Sequence, residues 1–142
     1  MTAAISAGVI TSGGTESLMN PLLVYREWGR ERGITSPNIV LPVTAHPGLH
    51  KGAHYFGIEL RLAPVTDQFV ADADAMAGLI DANTVALIGS AGTYPHGLVD
   101  PIDRLSDLAL HHSGDVVHVG AIPITLIHTP GHTPGSQCFL VQ

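Results

Sequence analysis

The chain has 142 residues, of which 13% are charged, and a formal net charge of −6 with histidines neutral. That length suits one ordinary domain. The charged fraction is low against the roughly 25% of a typical soluble domain, and with a mean hydropathy of +0.29 it suits part of a buried sheet or a subunit that covers much of its surface. Six basic residues scattered along the chain make no electropositive stripe, which argues against a nucleic-acid partner. No stretch approaches the ~18 uninterrupted apolar residues of a membrane span. The opening MTAAISAGVI lacks the basic residues and long apolar core of a signal peptide. Cys138 is the only cysteine, so there is no internal disulfide and no cysteine-based zinc site. These features point to the cytoplasm. Lys51 is the single lysine.

In chain order, Gly8 to Thr11 reads as a short strand followed by a turn at Gly13-Gly14. Leu18, Leu22, Tyr25 and Trp28 then recur at helical steps, with Gly33 as the stop. Pro21 implies a kink, or a regular helix that starts there with Asn20 as N-cap. Ile39-Val40-Leu41 suits a buried strand. Residues 47–56 read as a helix ending at Gly57, and Ile58, Leu60 and Leu62 alternate as in a strand. Residues 72–81 look helical, and Thr84 to Ile88 reads as another buried strand. Asp100-Pro101 marks a helix start, with Asp100 as N-cap and Ile102, Leu105 and Leu108 or Ala109 supplying the apolar face.

Alternating strands and helices up to about Leu110 predict an α/β fold with a largely parallel sheet flanked by helices. After His112 the pattern changes. Val116 to Leu126 reads as a hairpin, and Cys138 to Val141 as a further strand. The expected division is 1–112 and 113–142, the second part being a β-rich extension.

Thr11-Ser-Gly-Gly-Thr-Glu-Ser17 combines two glycines, nearby hydroxyls and the start of a helix. Helix N-termini present unpaired N–H groups and a positive dipole end, so this is a candidate phosphate site. The plain alternative is an ordinary strand-to-helix turn with Thr15 as N-cap.

Four segments together carry a resemblance: Gly8-Val-Ile-Thr-Ser-Gly-Gly-Thr-Glu-Ser17, Asn38-Ile-Val-Leu-Pro-Val-Thr-Ala-His46, Lys51-Gly-Ala-His-Tyr-Phe-Gly57 and Tyr94-Pro-His-Gly-Leu-Val-Asp-Pro101. In order and spacing they resemble the group II pyridoxal-phosphate decarboxylases, and within them the sphingosine-phosphate lyases. The resemblance implies part of a fold-type-I large domain. It also implies pyridoxal phosphate as cofactor, and a phosphorylated amino alcohol or an amino acid as substrate. Gly14 and Thr15 would hold the cofactor phosphate, His46 would stack on its pyridine ring, and Ser90 would face the same crevice. Tyr94 and His96 would border it as the catalytic candidates. Such enzymes are dimers, which implies a homo-oligomer, or an aggregation-prone chain if apolar surface stays uncovered.

The same resemblance exposes a gap. The family's chemistry needs a lysine for the Schiff base with the cofactor aldehyde and an aspartate opposite the pyridine nitrogen. Both follow the Tyr-Pro-His-Gly segment in the family, and no lysine follows Lys51 here. Lys51 matches a different family lysine, one that does not hold the cofactor covalently. The expectation is a chain inactive by itself.

Gly114-Asp-Val-Val-His-Val-Gly120 and Ile127-His-Thr-Pro-Gly-His-Thr-Pro-Gly-Ser136 resemble metallo-β-lactamase-like hydrolases, which implies a composite chain and His132 as a zinc-ligand candidate. The upstream histidine cluster that would complete such a site has no counterpart. His46, His50 and His54 recur at four-residue steps, a spacing that can chelate zinc on a helix, but Pro47 sets His46 outside that helix and no carboxylate lies near. Zinc is therefore not expected. The alternatives kept open are a zinc-dependent hydrolase and a non-catalytic remnant that associates through exposed sheet surface.

Overall fold

The computed structural model describes residues 10–112, 125–128 and 137–140. The elements are α1 (Gly14–Glu31), β1 (Asn38–Pro42), α2 (Pro47–Phe56), β2 (Glu59–Ala63), α3 (Ala73–Gly78), β3 (Thr84–Leu87), α4 (Ile102–His112), β4 (Thr125–His128) and β5 (Gln137–Leu140).

β1 lies between β2 and β3 and pairs with both in parallel, with Val40 opposite Arg61 on one side and Leu87 on the other. Every residue of β1 is buried. The apolar run is continuous because both faces are covered. Ile39 and Leu41 join Leu22, Leu49, Ala53 and Val85 on the α1/α2 face, while Val40 joins Ala63, Met76 and Leu105 on the α3/α4 face. This is the predicted helix–sheet–helix arrangement. Each large side chain so buried contributes about 1.5–3 kcal/mol.

Local chemistry sets the helix ends. His46 caps α2, its Nδ1 accepting from the Gly48 N–H at 2.9 Å, and Pro47 stands in the first turn, where a missing N–H costs nothing. Gly57 closes α2 in the left-handed region at φ 64. Gly33, at φ 81, follows the end of α1 as expected.

Four expectations need correction. Ile10 and Thr11 are not in a strand, while Gly8 and Val9 lie outside the described residues. Of the two readings of Pro21, a kink within the helix or a start there, the start is excluded, because α1 runs through Pro21. An interior proline costs roughly 3 kcal/mol, and the packing of Leu18, Leu22 and Tyr25 against the core offsets it. α3 stops at Gly78 instead of reaching 81, because the Asp81 carboxylate bonds the Asn83 N–H at 2.8 Å and draws the chain into a turn. The Asp100 carboxylate does not cap α4. It accepts N–H bonds from Ala71 and Ser90 instead.

Beyond α4, β4 and β5 pair antiparallel, with Thr125 opposite Leu140. The expected hairpin used Val116–Val119 as one arm, and those residues lie outside the described residues, as does His132.

The amino end of the sheet is held by a polar clamp. Asn38, fully buried, donates from Nδ2 to Asp81 at 2.9 Å and accepts at Oδ1 from the Thr84 hydroxyl at 2.7 Å. Arg61 reaches Asp81 at 2.7 Å and Glu59 at 3.1 Å. The Asn38 amide, the Asn83 N–H and Arg61 together hold the Asp81 carboxyl down at about 2.

Candidate functional site at the carboxyl edge of the sheet

Parallel strands send all their following loops to one edge, where open α/β sheets bind ligands. The loop after β1 carries Thr44 and His46. The one after β2 carries Phe69. The one after β3 carries Ser90, Tyr94, His96 and Asp100.

The start of α1 also reaches this edge. A Cβ placed on Gly48, in the first turn of α2, would lie 3.1 Å from Thr15 Cγ2 and 3.0 Å from His46 Nδ1. Thr15 and His46, predicted to serve one ligand, therefore flank one point. Thr15 sits in the second position of α1 and is not its N-cap. That place belongs to Gly13, which offers no side-chain cap.

The first bond inside α1 runs from the Ser17 N–H to the Gly13 carbonyl at 3.1 Å. The helix itself supplies no acceptor for the N–H groups of Gly14, Thr15 and Glu16. Glu16 turns back instead and accepts from the Ser12 N–H at 2.7 Å and the Ser12 hydroxyl at 2.6 Å, which lowers its carboxyl below the usual range. Thr11 and Ser17 hydroxyls share a 2.5 Å bond. Gly13 is extended at φ 166, and a Cβ at Gly13 or Gly14 would meet nothing within 4 Å. The packing of the described residues gives no reason for glycine at either position. Open ground in front of free helix N–H groups fits a bound phosphate.

His46 is half-buried, and its ring meets Tyr94 edge-on with centroids 4.9 Å apart and planes at 80°. Because Nδ1 accepts a bond, the neutral ring carries its proton on Nε2. The Tyr94 loop is stiffened from within. Thr93, buried, donates its N–H to the Leu98 carbonyl at 2.7 Å, while its hydroxyl accepts from the Leu98 N–H at 3.2 Å. Gly97, at φ 68, closes the turn, leaving Tyr94 67% exposed. His96 does not join His46. Its ring rests on Phe69, with centroids 4.9 Å apart. Ser90 lies beyond the end of β3, and both its backbone N–H and carbonyl are bonded to Asp100.

Lys51 makes none of these contacts among the described residues. It is exposed on α2, with Nζ 5.4 Å from the centroid of the Tyr55 ring. Among the described residues no three histidine, cysteine or acidic side chains converge as a metal site would require.

Two contributors escaped the sequence reading. Asp100 signalled a helix start, and nothing local in the sequence shows that its carboxylate reaches Ala71, 29 residues away. Thr44 is 7% exposed, and its hydroxyl has no hydrogen-bond partner among the described residues. Buried hydroxyls are ordinarily bonded, and this one stands two residues before His46.

A doubly covered parallel sheet, with a helix N-terminus and a histidine at its carboxyl edge, matches part of the large domain of fold-type-I pyridoxal-phosphate enzymes. Its curated relatives include sphingosine-1-phosphate lyases and probable L-tyrosine/L-aspartate decarboxylases. The lyase of Oryza sativa subsp. japonica is 42% identical over 103 residues, covering 72% of this chain and 19% of the relative. The solved sphingosine-1-phosphate lyase of Burkholderia pseudomallei is 48% identical with a TM-score of 0.68, covering 70% of this chain and 23% of that one. Oryza sativa TDC, solved with PLP, shares the fold at a TM-score of 0.68 and 17% identity over 76% of this chain and 26% of its own. No protein-family model matches the chain. The chain thus spans about a fifth of the length of the curated lyases it matches.

Proposed function

We propose that this chain forms the phosphate-binding and ring-covering part of a pyridoxal-phosphate-dependent carbon–carbon lyase site. The parent reaction would act on a phosphorylated amino alcohol or an amino acid. One observation carries the reading: Thr15 of the α1 start and the half-buried His46 flank a single point at the carboxyl edge, where α1 offers free N–H groups. Similarity to sphingosine-1-phosphate lyases supports it.

The residues present fit the cofactor in part. Gly14 and Thr15 would take its phosphate, and His46 would cover its ring, with Tyr94 backing His46. Ser90 and His96 would line the outer rim, and the free Thr44 hydroxyl would gain a partner. Bound there, the cofactor would supply an electron sink for bond cleavage. The chain does not offer a lysine for covalent attachment at the family's usual position, its single lysine being Lys51 on α2. The 142-residue chain is therefore inactive by itself in this reading. A cytoplasmic setting, homo-oligomeric association and a boundary near residue 112 belong to the same proposal. No helix among the described residues is long and apolar enough to cross a membrane.

Absorbance titration with pyridoxal phosphate tests the reading. Binding should be weak, reversible, reduced by excess inorganic phosphate and unaffected by borohydride. A borohydride-stable adduct on Lys51, or no binding at all, would overturn it. The alternative reading, a zinc hydrolase built on His132 and the tail, is not supported by the relatives named above. Stoichiometric zinc in the purified protein, lost in His132→Ala, would revive it.

A further inference from the structure

We infer that Asp100 is a positioning residue that sets Tyr94 against His46 and so shapes the wall of the ligand site. This rests on the proposed function for its purpose, but not for its geometry. Asp100 is 2% exposed. One carboxylate oxygen accepts the Ala71 N–H at 2.8 Å, and the other accepts the Ser90 N–H at 2.8 Å. Its own N–H returns to the Ser90 carbonyl at 2.9 Å. Ala71 ends the loop after β2, and Ser90 opens the loop after β3. The carboxylate therefore ties two loops of the carboxyl edge at their base.

The same loops meet again further out, through Phe69 and His96. The second loop then reaches the third, through Tyr94 and His46. Among the described residues no ion pair involves Asp100. Its charge is held by backbone N–H groups. Bonds from N–H groups to an ionised acceptor are among the stronger kind, and burying a charge for a mere helix start would be costly when a surface cap suffices. Placement of three loops explains the burial.

The test needs no activity. In Asp100→Asn one N–H must face an amide NH2 instead of an oxygen, so the tie slackens on one side. Without cofactor, the His46 ring-proton resonances should shift toward those of Tyr94→Leu, because both variants remove the Tyr94 ring current. Core amides of β1 should stay unchanged. Asp100→Glu, which keeps both oxygens, should recover part of the native position. Pyridoxal phosphate affinity should fall about threefold to tenfold in Asp100→Asn, the range for losing one aromatic pair.

Native His46 resonances in a folded Asp100→Asn protein would overturn the inference. Should that variant not fold, hydrogen exchange on the unaltered protein decides. Ala71 and Ser90 amides should be protected as strongly as those of β1, and exchange as fast as at the exposed Gln68 would count against the tie. Failure of the lyase reading shows separately, as absence of cofactor binding in the unaltered protein with the resonance shifts intact.

Discussion

Gly29→Ala measures how tightly α1 is seated on the sheet. In an exposed helix interior this change would stabilise by about 1 kcal/mol, because alanine loses less backbone freedom than glycine. Gly29 is buried, however, and its added Cβ would lie 2.7 Å from Val85 Cγ1 and 3.6 Å from Ile34 Cβ. Comfortable carbon–carbon contact begins near 3.5 Å, so Val85 has to retreat by close to 1 Å. Valine is stiff at χ1, and this one is only 7% exposed. Overpacking of that kind costs roughly 1–3 kcal/mol, so after the alanine gain the net change should be a loss of up to about 2 kcal/mol. Urea or thermal unfolding reads it, as a fall in melting temperature of about 3–4 °C per kcal/mol for a chain of 142 residues. Val85→Ala alone should also destabilise by leaving a void. The double variant should lose less than the sum, with a coupling on the order of 1 kcal/mol. Stabilisation by the single change Gly29→Ala would refute the packing of α1 on β3.

The proposed ligand site makes its own demands. Gly48→Ala should change stability by about 0.5 kcal/mol or less, because its closest neighbours need to give only slightly, yet it should weaken pyridoxal phosphate binding severalfold by displacing His46 and Thr15; absorbance titration checks this. Lys51→Ala should leave that binding unaltered. Thr44→Val removes an unbonded buried hydroxyl and should raise the urea midpoint by the equivalent of about 1 kcal/mol; a loss would show that the hydroxyl has a partner in solution. Asp81 titrates lower folded than unfolded, so its contribution is present above pH about 4. It is lost as pH falls through the folded value of about 2. Melting temperatures between pH 5 and 2 should fall less steeply in Asp81→Asn than in the unaltered protein.

Elements bounded by short-range signals were legible in the sequence. His46, Pro47 and Gly57 delimit α2 because a cap, a first-turn proline and a left-handed glycine each act within a few residues. The β1 run announced a strand covered on both faces. Contacts between distant residues were not legible. Asp100 satisfies the local rule for an N-cap, but the tertiary fold engages its carboxylate elsewhere. Pro21 satisfies the rule for a helix start, but the packing of Leu18 and Leu22 carries α1 across it. At the site, the resemblance pointed to Thr15, His46 and Tyr94, which the fold brings to one edge. It gave no sign that His96 would turn to Phe69, because that contact depends on the path of the β2–α3 loop.

The seating of Gly29 on Val85 also orders events in time. Of the described elements α1 is made first, and its Met19 and Leu22 pack against Gly52 of the next helix, α2. Its far end has no seat until a segment more than fifty residues downstream has emerged and zipped onto β1. Contacts between such remote residues form late. The first of the described helices is thus fastened in full only once β3 is in place, and a stall before β3 would leave the Gly13-Gly14 turn attached to a helix docked at one end only.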